Sequence, residues 1–184
     1  MDMEFDNNLG EEDILLRAEN IKMIVMDVDG TLTDGKIFVG NEGELMKGFD
    51  VKDGQGIVLW HKSGRQSAII TGRSSQITDI RAKALGIQHI YQGRADKRAA
   101  FEELKEKTGF DDDDICYIGD DLPDIPLLLR AGLAIAVADA TEETRMAAHY
   151  VTESPGGMGA VREAIELILT AQGLWEERLA EFYK

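Results

Sequence analysis

Short apolar runs alternate with longer amphipathic ones along this chain. The apolar runs fall at residues 23–26, 68–70, 89–91, 115–118, 133–137 and, briefly, 149–151. Helical spacing predicts elements between them at 54–63, 75–85, 96–108, 122–130 and 141–148. A terminal helix is expected over 159–172, with Val161, Ala164, Ile165 and Ile168 on one face. Strands alternating with helices build βαβ units, so the pattern predicts an α/β fold: a Rossmann-like parallel sheet with helices on both faces. The strand runs lack polar alternation, as strands covered on both sides do. In such sheets ligands gather at the carboxyl ends of the strands.

One segment breaks the alternation. Residues 36–39, the turn Gly40-Asn41-Glu42-Gly43 and residues 44–49 predict a β-hairpin inserted just after the first strand. A two-stranded hairpin is marginal alone in water. Ile37, Val39, Leu45 and Phe49 are therefore expected to pack on the parent domain or on neighbouring subunits. The first 20 residues are rich in acids and carry one amphipathic stretch, Ile14-Leu15-Leu16, which suits either a docking helix or a tail. The expected organisation is an extension at 1–20, a catalytic domain at 21–172 with its hairpin insert at 36–49, and a tail at 173–184.

Composition narrows the partners. The chain has 184 residues and a formal net charge of -15, which disfavours non-specific nucleic-acid binding because phosphate backbones are repelled. A phosphorylated small molecule stays open, since one bound cation or a few basic groups reverse the field inside a pocket. The single cysteine, Cys116, excludes an internal disulfide framework, and its apolar neighbours make it a core residue. No apolar run approaches the roughly 20 residues that span a bilayer, so no membrane partner is expected. The acidic first residues lack the pattern of a secretion signal, and a reducing cytoplasm is the expected location.

Several polar residues follow the predicted strands. Asp27 and Asp29 are two apart after the first run, so they project to one side of an extended chain, and Gly30 permits a sharp turn there. Asp120, Asp121 and Asp124 follow the run at 115–118 through Gly119. Two acid clusters at one sheet edge repel unless a cation lies between them, and hard oxygen donors suit Mg²⁺. Thr71, Gly72 and Arg73 end another strand with a hydroxyl and free N–H groups. Lys97 opens a helix and brings a compact cation. Each has a plainer reading: Asp-x-Asp as a turn, Thr71 as a cap, Lys97 as a surface residue, Asp124 as a helix-dipole partner. Arg73 suits either substrate binding or pairing with Asp50 or Asp53. The dense acids at 111–114 suit a solvated loop, and the scattered His61, His89 and His149 show no ligand spacing.

The four elements in this order make the chain resemble the haloacid dehalogenase superfamily of aspartate-nucleophile phosphatases. The resemblance lies in Asp27-Val28-Asp29-Gly30-Thr31, Thr71, Lys97 and Gly119-Asp120-Asp121-Leu122-Pro123-Asp124, and spans about residues 21–172. Within the superfamily the chain is similar to the capless phosphatases of an eight-carbon 3-deoxy keto sugar acid phosphate. Leu32-Thr33-Asp34-Gly35, Phe49-Asp50-Val51-Lys52-Asp53-Gly54, Tyr91-Gln92-Gly93, Val137-Ala138-Asp139-Ala140 and Gly156-Gly157-Met158-Gly159 carry that finer match. It implies Asp27 as nucleophile, Asp29 as acid and then base, and Thr71 and Lys97 as phosphoryl binders. Gly72, Arg73, Thr33 and Lys52 are the implied substrate contacts. Mg²⁺ is implied on Asp27, the Asp29 main-chain carbonyl and Asp120, supported by Asp121 and Asp124. A homotetramer joined through the hairpins is implied too. Lys52 and Met158 stand where the subfamily usually has arginine. Two readings compete: a related nine-carbon keto acid phosphate as substrate, or a phospho-accepting signalling module. Asp29, two residues beyond Asp27, speaks against the latter, because a receiver has no such acid.

Overall fold

A computed structural model of the chain describes residues 10–184, so expectations for residues 1–9 lie outside the described residues. Six strands form one parallel sheet: β1 (Met23–Met26), β4 (Gln66–Ile70), β5 (His89–Tyr91), β6 (Ile115–Gly119), β7 (Leu133–Ala136) and β8 (Tyr150–Val151). Their spatial order is β5-β4-β1-β6-β7-β8. The chain runs outward from β1 through β4 to β5, then crosses back to β6 and continues the other way. The reversal beside β1 is the topological switch point at which α/β sheets bind ligands.

Successive residues of each strand face opposite layers. Ile24, Met26, Ile69, Cys116, Ile118 and Ile135 join one core with α1 (Glu11–Asn20), α2 (Val51–Lys62), α3 (Gln76–Ala84) and α7 (Ala160–Ala171). Met23, Val25, Ala68, Ile70, Ile115 and Tyr117 join the other, against α4 (Lys97–Thr108) and α5 (Ile125–Leu128). Both faces are covered, which is why the strand runs are apolar throughout. Cys116 is fully buried and its thiol pKa is pushed up by that burial.

The hairpin comprises β2 (Phe38–Gly40) and β3 (Gly43–Met46), paired antiparallel with an irregular register between Phe38 and Val39. Phe49 beyond it packs on the main core, whereas Val39 and Leu45 are 70% and 65% exposed. α2 begins at Val51, three residues before the predicted start, because Asp50 caps it by accepting from the Lys52 and Asp53 N–H groups. The expected helix at 122–130 is instead a 3-10 turn, Leu122–Asp124, followed by the short α5. Pro123 and Pro126 each remove a backbone donor there.

The first and last described helical segments lie against the domain. Gln172 donates to the Ala18 and Ile21 carbonyls at 2.9 and 2.7 Å, and Arg17 donates to the Gly132 carbonyl at 2.8 Å. Gly173 turns the chain with φ 68°, and α8 (Trp175–Ala180) folds back so that the Arg162 guanidinium lies 5.0 Å from the Trp175 ring. After β7 the chain passes α6 (Glu142–Met146) before β8.

Candidate active site

A cavity of about 240 Å³ opens at the carboxyl ends of β1, β4 and β6, lined by Asp27, Asp29, Thr71, Gly72, Arg73, Lys97, Asp121, Pro123 and Asp124. Asp27 continues β1, donating its N–H to the Ile118 carbonyl at 3.0 Å. It keeps the parity of Met23 and Val25, so its side chain faces the α4 layer, where Lys97 opens the helix. Lys97 Nζ donates to Asp27 Oδ1 at 2.7 Å and to Asp124 Oδ1 at 2.5 Å. Tyr117, on the same face of β6, donates its hydroxyl to Asp124 Oδ1 at 2.6 Å. All four side chains are buried.

Asp124 is held as a loop buckle. Its Oδ2 accepts the Asp120 and Asp121 N–H groups at 3.0 and 3.2 Å, while Oδ1 serves Lys97 and Tyr117. Asp121 caps the 3-10 turn through the Leu122 N–H. Asp120 is left to accept from the Thr31 hydroxyl at 3.1 Å. Carboxylate oxygens of Asp27, Asp120 and Asp124 lie within 4.8 Å of one another. Because both Asp124 oxygens are occupied, Asp27 and Asp120 are the pair with capacity for a cation.

The charge pattern favours one. Burial first, then the Asp27 and Asp124 charges, push the Asp120 carboxyl up to about 8. Burial likewise raises Asp27, against the pull of Lys97. Lys97 itself ends above its ordinary value, since the attraction of Asp27 and Asp124 outweighs the burial that lowers it. Two buried acids and a half-buried one around one lysine are short of positive charge. The hard oxygen set of Asp27 and Asp120 fits a divalent ion such as Mg²⁺.

The loop after β1 is shaped by glycine. Gly30 has φ 103°, and a Cβ there would meet Asp120 Oδ2 at 2.0 Å. The Gly156-Gly157 segment lies on this loop, and a Cβ on Gly156 would sit 1.7 Å from the Gly30 carbonyl oxygen.

Two expected substrate contacts are not in the cavity wall. Thr33 is buried with its hydroxyl engaged by the Gly30 and Gly35 N–H groups and the Val28 carbonyl, so it ties the loop. Lys52 is exposed in the first turn of α2, and Met158 is exposed as well. Arg73 pairs with neither Asp50 nor Asp53; its Nε lies 3.7 Å from Asp29 Oδ2. Asp53 is taken by the start of α7, accepting the Arg162 N–H at 2.8 Å. The expected solvated acids at 111–114 are partly paired, Asp112 with Arg130 and Asp114 with Lys22. His61, His89 and His149 bond Ser67, Gln66 and the Ala134 N–H, away from the cavity.

Two participants escape a motif-based reading. Tyr117 looks like one more apolar strand residue, although a buried hydroxyl needs a partner and the acids begin three residues on, at Asp120. Lys47 precedes Phe49 by two, so an extended chain puts both on one side. Phe49 packs inward, and Lys47 follows it to Asp29.

Comparison with known proteins agrees with this geometry. The haloacid dehalogenase-like hydrolase family matches residues 61–165, a span that holds Thr71, Lys97 and Asp120. The Escherichia coli K12 enzyme 3-deoxy-D-manno-octulosonate 8-phosphate phosphatase KdsC is 46% identical over 165 residues, covering 90% of this chain and 88% of that one. The chain belongs to the haloacid dehalogenase-like hydrolases. Among solved structures of the family, the Moraxella catarrhalis 3-deoxy-D-manno-octulosonate 8-phosphate phosphatase aligns with TM-score 0.92 at 46% identity. It covers 94% of this chain and 99% of its own, and holds a magnesium ion, a phosphate ion and a KDO molecule. The Yersinia pestis enzyme of the same name aligns with TM-score 0.88 at 47% identity, covering 90% and 89%. The parallel sheet with an inserted hairpin is thus the fold of these hydrolases. No helix among the described residues is long and apolar enough to cross a membrane.

Proposed function

We propose that this hydrolase removes phosphate from 3-deoxy-D-manno-octulosonate 8-phosphate, giving the free sugar acid and inorganic phosphate. The observation that carries the reading is Asp27, buried against Lys97 at the switch point, in a chain so close to enzymes of that activity. Asp27 attacks phosphorus with Oδ2, since Oδ1 is engaged by Lys97. The phosphorus–sugar oxygen bond breaks, and Asp29 gives the departing oxygen its proton. Asp29, now a carboxylate, takes a proton from the water that attacks the aspartyl-phosphate, releasing phosphate and restoring Asp27. Thr71 and the Gly72 N–H hold phosphoryl oxygens, and Lys97 balances their charge; Arg73 stands at the exposed mouth. Asp27, Asp120 and the Asp29 carbonyl would hold Mg²⁺, which when bound offsets the repulsion between a carboxylate and an anionic ester.

A homotetramer assembled through the hairpins and a cytoplasmic location belong to the same proposal. The exposed Val39, Leu45 and Met46 on an otherwise thin hairpin support the assembly. Lys52 and Met158 lie outside one subunit's cavity, so in a tetramer they bear on substrate only across a subunit boundary. The deciding experiment is steady-state hydrolysis under Mg²⁺ of the eight-carbon keto acid phosphate, a nine-carbon keto acid phosphate and hexose phosphates. The expected kcat/KM is highest for the eight-carbon ester. Equal rates on hexose phosphates overturn the substrate, and a preference for nine carbons shifts it to the related keto acid.

A further inference from the structure

The hairpin is fastened to the site by a cation that no step above uses. Lys47 follows β3 immediately, and its side chain is 0% exposed. Lysine is almost never fully buried unless paired. Its Nζ donates to Asp29 Oδ1 and lies 3.0 Å from Glu44 Oε1. The other Glu44 oxygen accepts from the hydroxyl of Ser75, the residue that caps α3. On the opposite side of Asp29, Arg73 Nε stands 3.7 Å from Oδ2, beyond hydrogen-bond range. One oxygen of Asp29 is therefore tied to a buried group, while the other faces a half-exposed arginine and the cavity.

A staple for the hairpin alone does not need this arrangement. Phe49 and the Glu44–Ser75 contact already hold the hairpin to the domain. Lys47 instead joins the hairpin to the carboxylate assigned to proton transfer. We propose that Lys47 is a positioning residue for Asp29: by holding Oδ1, it presents Oδ2 to the departing sugar oxygen. The inference rests on reading Asp29 as the acid. It makes the hairpin part of the working site of its own subunit.

The test compares two leaving groups. p-Nitrophenolate departs without help, whereas a sugar alkoxide needs its proton in the transition state. The parameter kcat/KM reports only through the first irreversible step, so the later role of Asp29 as base does not enter. With Lys47→Met, kcat/KM for the sugar phosphate is expected to fall about 100-fold, within the usual range for general-acid catalysis, and that for p-nitrophenyl phosphate less than about 5-fold. Lys47→Arg is expected to restore most of the difference. Glu44→Gln, which removes the hairpin's own ion pair and keeps Lys47, is expected to leave both substrates within about threefold. Lys47→Met/Glu44→Gln, which leaves the hairpin charge-balanced, is expected to repeat the split and serves where the single variant is unstable.

Equal losses on both substrates make Lys47 a structural fastening and overturn the proposal. A Glu44→Gln loss as large as that of Lys47→Met does the same. Asp29→Asn separates the two readings. A split for Asp29→Asn without one for Lys47→Met defeats Lys47 alone, whereas no split for Asp29→Asn defeats the acid assignment beneath it.

Discussion

The floor of the cavity and the hairpin above it are held in opposite ways. At the floor, Asp27, Lys97, Tyr117 and Asp124 are buried and interlocked, placed by the end of β1, the start of α4, β6 and the 3-10 turn that follows it. In the hairpin, strands of three and four residues pair irregularly and leave most of their side chains in solvent. Its inward grip comes from Phe49 and the polar chain Lys47–Glu44–Ser75. A floor residue therefore cannot be changed without disturbing chemistry or folding, while a hairpin residue tunes a site that already exists. Low local stability is usual for elements that close over ligands.

Breaking the floor at its centre has the largest expected effect. Asp27→Asn is expected to lower kcat for an aryl phosphate under Mg²⁺ by at least about 10⁴-fold, the scale seen when a covalent nucleophile is lost. Turnover near the native rate would remove Asp27 from its assigned role. Lys97→Met comes next, because it leaves Asp27 and Asp124 facing each other in a buried space. Urea unfolding in chelator is expected to show a loss of about 3–5 kcal/mol. A neutral result would mean that the pair is more solvated than its burial implies.

The scaffold beside the floor can be probed through pH. His149 Nδ1 accepts the Ala134 N–H at 3.0 Å, and burial, helped by Arg17, lowers its pKa to about 4. Folding thus favours the neutral ring. The stability it contributes is present above the ordinary histidine value near 6.5 and is lost as pH falls from there toward 4. Partial exposure of the ring reduces the effect to on the order of 1–2 kcal/mol. His149→Asn keeps an acceptor without the titration. The difference in Tm between native and variant protein is expected to change across that pH range and be flat above it; a constant difference would remove His149 from the acid response.

The smallest effect on stability is expected at the hairpin tip. Val39→Lys/Leu45→Lys alters two exposed positions, so unfolding of the subunit should stay within about 0.5 kcal/mol. The same variant is expected to run as a smaller species in sedimentation, since these side chains form the proposed contact between subunits. An unchanged assembly would sharpen the comparison differently, leaving the hairpin with a role inside its own subunit only.

Much of this was legible in order along the chain. The apolar runs at 23–26 and 115–118 lie on observed strands, because parallel strands covered on both faces need unbroken apolar sequence. The acids at Asp27 and Asp120 stand next to one another because adjacent parallel strands end at the same edge. Less legible were the residues whose partners lie far away. Arg73 chose Asp29 over Asp50 and Asp53, since Asp50 caps α2 and Asp53 holds the start of α7. Thr33 turned inward to tie its own loop, and Pro123 and Pro126 shortened a helix that periodicity extended to residue 130.

The sequence by itself determined the class of fold, the edge at which chemistry gathers and the acids that stand there, since all three follow from local periodicity and from residue types at strand ends. The resemblance already gave Mg²⁺ to Asp120 and a supporting part to Asp124; only the tertiary structure supplies the hydrogen bonds that divide them in this way. Asp120 and Asp124 are alike in the chain, yet four hydrogen bonds converge on the oxygens of Asp124 while Asp120 accepts from Thr31. The same holds for Lys47, whose importance comes from burial beside Asp29. A hydrogen bond between residues distant along the chain depends on how the layers pack, which no single segment encodes.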